Sequence, residues 1–191
     1  MADGLRVAIF GGSFNPPHVA HVLAAAYALS AAPIDEVLVV PVYQHPFAKE
    51  LAPYDARLEM CRLALELLPR ARVSTLERDL GGESLTLRTV EEIARREPAW
   101  QLRLLIGSDV LADLPKWHRF DRIAEIAPPL VLGRRGAATT DGALHAGPPL
   151  LPPVSSTEIR AAVCAGRLDA VRDLLPTSVA GFIEQRGLYR A

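Results

Sequence analysis

The sequence is poor in cysteine, having only Cys61 and Cys164, and these two show no CxxC spacing. That excludes a disulfide framework and a zinc ribbon, and a reducing, cytoplasmic setting is expected. Long apolar runs are missing as well. The longest, Val22 to Ala32, is interrupted by Tyr27 and Ser30, halts at Pro33, and falls well short of the ~20 residues of a membrane helix. Near the N-terminus the only apolar run is Val7 to Phe10, too short for the hydrophobic part of a secretory signal. Neither secretion nor a membrane partner is expected. Excess charge of one sign is also absent: 21 Lys and Arg stand against 22 Asp and Glu, a formal net charge of -1. No global basic field exists to hold a nucleic acid, so any anion must be met locally.

What remains is a chain of 191 residues, 50% hydrophobic, able to bury a core without staples. It reads as one domain over residues 1–191, with a helical C-terminal part from about residue 155. Leu5 to Phe10 is nearly all apolar and meets Gly11-Gly12, the pattern of a strand covered on both faces and followed by a glycine turn. After Pro16-Pro17, the Ala- and Leu-rich stretch His18 to Ala31 reads as a helix.

The alternation continues. Glu36 to Val42 reads as a strand, Tyr54 to Leu68 as a helix, Ala71 to Leu76 as a strand, and Thr86 to Glu97 as a helix. Leu102 to Ile106 is a further strand, Ser108 to Leu114 a short helix stopped by Pro115, Arg119 to Ile126 a helix and Leu130 to Gly133 a strand. Arg134 to Pro153, rich in Gly, Ala, Thr and Pro, reads as a loop with one short strand near Leu150-Leu151. From Ser155 the chain is helical, broken at Gly166 and Pro176. Strands alternating with helices imply an α/β fold with ligands at the carboxyl ends of the strands.

The sharpest motif, Gly11-Gly12-Ser13-Phe14-Asn15-Pro16-Pro17-His18-Val19-Ala20-His21, falls at such an end. Glycines allow close approach of a ligand, and a helix start presents its positive end to an anion. His18 and His21, at i and i+3, share one face. An HxxH pair admits three readings: a chance pairing in a tight turn, two ligands of a zinc ion, or a grip on phosphate oxygens. No Cys or Glu accompanies the pair as a third zinc ligand, and the position after a strand favours phosphate. A second motif is Ser155-Ser156-Thr157-Glu158-Ile159-Arg160. Ser155 with Glu158 reads as a capping box, but Arg160 opposes the helix dipole unless an anion sits near that end.

Together the two motifs resemble the nucleotidylyltransferase superfamily, with its GxFxPxHxGH-type loop and SSTxIR-type helix start. Within it the chain is similar to the bacterial nicotinate-nucleotide adenylyltransferases along essentially its whole length. Further matches are Ser84-Leu85-Thr86, Ile106-Gly107-Ser108-Asp109, Leu114-Pro115-Lys116-Trp117, Gly133-Arg134-Arg135-Gly136 and the final Gly187-Leu188-Tyr189. The resemblance implies a Rossmann-like parallel sheet with helices on both faces. It also implies transfer of the adenylyl group of ATP to nicotinate mononucleotide, giving deamido-NAD and pyrophosphate. Departures are Ala20 for the family's glycine, Leu85 for a tyrosine, His118 where an aromatic ring is common, and Gln44 to Lys49 where the family has a PPHK-like loop.

By the same resemblance, His18, His21 and Arg160 are the catalytic residues. ATP would be held by Gly11, Gly12, Ser13, Phe14, His18, His21, Ser156, Thr157 and Arg160, and the mononucleotide by Asn15, Lys49, Thr86, Asp109, Trp117 and Arg134. Magnesium would travel on the ATP phosphates, with no dedicated protein cage. A homo-oligomer is left open. The alternatives at this point are a nicotinamide-mononucleotide or phosphopantetheine adenylyltransferase, and a non-catalytic nucleotide-binding module of the same fold.

Overall fold

The structure, a computed structural model, describes residues 4–45, 50–134 and 147–190, with backbone alone for Arg134 and 147–150. Its centre is a six-stranded sheet of β1 (Arg6–Gly12), β2 (Glu36–Pro41), β3 (Ala71–Val73), β4 (Gln101–Gly107), β5 (Pro129–Arg134) and β6 (Gly147–Leu151). The strand order is β3-β2-β1-β4-β5-β6, and every pair is parallel. From β1 the chain runs outward to β2 and β3, then crosses back to β4 on the other side of β1 and outward again. The carboxyl ends of β1 and β4 therefore flank the point where the winding reverses, where such sheets leave a crevice for ligands.

Helices α1 (Val19–Ala31), α2 (Tyr54–Leu65), α6 (Ser156–Cys164) and α7 (Thr177–Arg186) bury one face of the sheet. Helices α3 (Leu76–Leu80), α4 (Thr86–Arg96) and α5 (Phe120–Ile126), with a 3-10 helix over Ser108–Lys116, bury the other. The period of two along the strands divides the residues. Ala8, Val37, Val39, Leu105 and Leu132 face the first layer, and Val7, Ile9, Val40, Leu104, Ile106 and Val131 the second. Alanines lie along the buried side of α1, with Ala24 at 3% exposure and Ala25 and Ala28 at 0%, so this helix packs close to the sheet.

Four local expectations are revised. Gly11 and Gly12 are not a turn but the last two residues of β1. β3 ends at Val73, and Leu76, expected at the end of that strand, opens α3. Pro115 does not stop the helix before it: the 3-10 turn continues through it to Lys116, where the Trp117 N–H bonds to the Leu114 carbonyl. Arg119, expected in a helix, stands before α5 in the left-handed conformation at φ 52°.

Candidate active site

At the end of β1 the two glycines do different work. A Cβ on Gly11 would meet nothing within 4 Å, leaving backbone open to the cleft, whereas one on Gly12 would lie 3.2 Å from the Phe14 ring. Phe14 takes a left-handed φ of 44° and is only 3% exposed. Its ring stands edge-on to Phe10 at 5.5 Å and 5.0 Å from the His21 ring, so this side chain supports the site from the core.

His18 is the N-cap of α1 and 4% exposed. Its backbone N–H donates to His21 Nδ1 at 3.1 Å, its carbonyl accepts from the His21 N–H at 2.9 Å, and the two imidazoles stack with centroids 3.8 Å apart. Ala20 is 5% exposed and packs in the core cluster with Phe14 and Ala24. It also lines the cleft beside His21.

The loop between β1 and α1 is held from behind by side chains far away in sequence. Arg57 of α2 is 1% exposed; its Nη1 donates to the carbonyls of Ser13 (3.0 Å) and Val42 (2.8 Å), and its Nε to that of Ala52 (2.9 Å). Burial lowers its pKa from the usual arginine value. Among the described residues no carboxylate stands at ion-pair distance from it, so backbone dipoles carry most of its compensation. Asn15, 2% exposed, accepts at Oδ1 from the Ala52 N–H (3.1 Å) and the Tyr189 hydroxyl (2.8 Å), and at its carbonyl from Arg160 Nη1 (2.8 Å). Ser156 Oγ donates to the Pro16 carbonyl at 2.9 Å. Helix α6 opens on Ser155, whose Oγ accepts from the Thr157 N–H at 3.2 Å, one position earlier than the expected Ser155–Glu158 box would place the bond.

Across the cleft, Thr86 is the first residue of α4. The chain entering it is fixed by Ser84 Oγ, which accepts from the N–H groups of Tyr43 (2.9 Å) and Gln44 (3.3 Å). Glu77, 8% exposed, accepts from the Tyr43 N–H (3.2 Å) and the Thr89 hydroxyl (3.0 Å). At the end of β4 the Asp109 carboxylate folds back over Gly107, where a Cβ would lie 2.4 Å from its Oδ1. Trp117 closes the 3-10 helix, edge-on to Phe120 at 6.3 Å.

One cleft of about 750 Å³ brings together Gly11, Gly12, Ser13, His18, His21, Thr86, Asp109 and Trp117. Its size and mainly apolar walls with a few polar groups suit a nucleotide-sized ligand. Asn15, Ser156, Thr157 and Arg160 instead line a second depression, which shares Ser13 with the first. Asn15, expected beside a mononucleotide, is thereby placed on the opposite side of the loop, with Oδ1 already receiving two donors. Lys49 and the side chain of Arg134 lie outside the described residues. Sequence reasoning missed Arg57, Glu77 and Tyr189 as organisers of the site, and His45 as part of the cleft wall. Tyr189 alone carried a signal, in the final Gly-Leu-Tyr match; an arginine on an amphipathic helix looks like any solvated residue.

A parallel sheet with glycines, paired histidines and a helix start at its winding reversal defines a nucleotide-binding α/β protein. The family model described as cytidylyltransferase-like matches residues 9–162, and the chain belongs to that family. A protein of Anaeromyxobacter dehalogenans (strain 2CP-C) bearing the name nicotinate-nucleotide adenylyltransferase is 45% identical over 193 residues, covering 100% of both chains. One of the same name from Thermus thermophilus is 38% identical over 188 residues, covering 97% of this chain and 100% of its own. Within the cytidylyltransferase-like proteins, the chain therefore belongs with the nicotinate-nucleotide adenylyltransferases. Among solved structures, the nicotinic acid mononucleotide adenylyltransferase of Plasmodium falciparum, complexed with NaAD, shares the fold at TM-score 0.83 and 19% identity, covering 97% of each chain.

Proposed function

We propose that the protein transfers the adenylyl group of ATP to nicotinate mononucleotide, releasing pyrophosphate and deamido-NAD. One observation carries this reading from the structure: the His18–His21 pair and open Gly11 face Thr86, Asp109 and Trp117 across a single cleft. The names of the full-length relatives support the same acceptor. In the reaction a phosphate oxygen of the mononucleotide attacks the α-phosphorus of ATP, the new P–O bond forms, and the bond to the β-phosphate breaks. That oxygen already carries negative charge, so the chain has to position groups and stabilise charge, not abstract a proton.

His18 and His21 would meet phosphate oxygens, assisted by the backbone at Gly11 and Gly12. Arg160, Ser156 and Thr157 would serve the triphosphate from the second depression. Asp109 would accept from ribose hydroxyls, Trp117 would stack on the pyridine, and Thr86 at the start of α4 would face the nicotinate carboxylate.

Magnesium, carried on the triphosphate, would neutralise developing charge. Among the described residues no group of three or more His, Cys, Asp and Glu could hold a metal ion, and the ion would be held through phosphate and water. No described helix is long and apolar enough to cross a membrane. The free thiols of Cys61 and Cys164 agree with a reducing cytoplasm.

The test is to supply ATP, magnesium and either the acid or the amide mononucleotide, and to compare kcat/KM for the two. Dinucleotide and pyrophosphate should form with the acid preferred. Turnover of the amide or of phosphopantetheine without product from nicotinate mononucleotide would overturn the assignment.

A further inference from the structure

The Gly187-Leu188-Tyr189 segment has no part in the cleft, yet it reaches the loop that leads into His18. Gly187, at φ +60°, caps α7, and the Leu188 N–H returns to the Ile183 carbonyl at 3.1 Å. The chain then takes a second left-handed step at Tyr189, φ 62°, a conformation that bulky L-residues seldom adopt. This step sends the ring into the fold, where its hydroxyl donates to Asn15 Oδ1 at 2.8 Å, across 174 positions of sequence.

Asn15 is 2% exposed and is where three distant segments meet: the Ala52 N–H and the Tyr189 hydroxyl at its side chain, and Arg160 at its carbonyl. Between Asn15 and His18 stand only Pro16 and Pro17, whose rings leave little torsional freedom. Few torsions therefore stand between a displacement at Asn15 and His18. An outlier backbone held in place by surrounding structure is where a functional role is to be sought.

We infer that Tyr189 is a positioning residue for the reaction: its hydroxyl, through Asn15, sets where His18 stands in the cleft. The inference rests on the adenylyl-transfer reading above. The Tyr189 hydroxyl is given to Asn15 and its ring stands outside the cleft that holds His18, so it acts on His18 through Asn15.

Tyr189→Phe removes one oxygen and keeps the ring. Comparing it with the wild type as full chains, kcat should fall by about 10- to 100-fold, the loss expected from a misplaced reacting geometry, with both KM values within about twofold. The melting temperature should drop by only about 2–4 °C. Hydrogen exchange at the amides of Phe14, Asn15 and His18 should quicken. On an Asn15→Ser background the Tyr189→Phe change should add nothing further to kcat. Wild-type kcat in Tyr189→Phe, or a full second loss on the Asn15→Ser background, overturns the inference. Should the wild type itself make no dinucleotide, the adenylyl-transfer reading fails by itself. Exchange at residues 14, 15 and 18 then decides for the Asn15 tether if it quickens in Tyr189→Phe and against it if it does not.

Discussion

The backbone N–H of His18 donates to Nδ1 of His21, and this one bond orients the second imidazole. A neutral ring that accepts at Nδ1 carries its proton on Nε2 and is a donor there. Stacked 3.8 Å from the His18 ring, it is a preorganised donor of the kind that stabilises charge growing on a phosphate oxygen.

Removing the His18 imidazole leaves the His18 N–H and its bond to His21 in place, and tests the first ring by itself. His18→Ala should lower kcat by about 10²–10³, the loss typical of deleting one such donor, while circular dichroism and melting show a retained fold. Unchanged turnover would take His18 out of the mechanism.

Arg57→Met keeps the bulk of the buried side chain but strips its donors from the carbonyls of Ser13, Val42 and Ala52. The cost should be about 2–4 kcal/mol, read from urea unfolding, because buried acceptors lose charge-assisted bonds. Since Ser13 lies in the wall of the cleft, activity should fall by more than the loss of folded protein accounts for.

Gly107→Ala places a methyl group where Asp109 now folds back. The carboxylate must swing away, so this variant should reproduce the kinetics of Asp109→Ala, with KM for the mononucleotide raised about tenfold at similar kcat. Wild-type KM in Gly107→Ala would remove Asp109 from the binding site.

Acid stability should reside at the opposite end of the sheet. Arg6 donates to Asp35 through its backbone N–H (2.9 Å), Nε (2.9 Å) and Nη2 (2.6 Å), and the side-chain bonds foremost hold the Asp35 carboxyl well below its usual 3.8. The unfolded chain binds this proton more readily. The contribution is therefore full above about pH 4 and lost as the pH falls through the folded value. Asp35→Asn should flatten that part of the stability curve, measured by denaturant midpoints between pH 5 and 2, without altering kcat at neutral pH.

The strands that build the sheet were legible because burial on both faces imposes near-continuous apolar runs, as in Val7-Ala8-Ile9 and Leu104-Leu105-Ile106. Both histidines were legible because their spacing and their place after β1 are local facts. Leu76 was misread because a β-rich run extends beyond the three residues that pair with β2, and only the sheet's edge decides where pairing stops. The structural partners of Asn15 were hidden for a related reason. Its neighbours in sequence point to a ligand, but its donors come from residues 52 and 189. Arg57 shows the limit most clearly, since its acceptors lie on two loops and its burial depends on how α2 is docked.

The sheet separates two cores built from different residues, and the cleft draws on both. His18, His21, Ser156 and Arg160 hang from helices of one layer, while Thr86, Asp109 and Trp117 hang from the elements of the other. Under the proposed assignment each layer would answer for one substrate. Changes that retune the choice of acceptor would then accumulate around α4 and the 3-10 helix while the packing beneath the histidines stays as it is. The same partition lets an engineer redesign one half of the reaction and inherit the other.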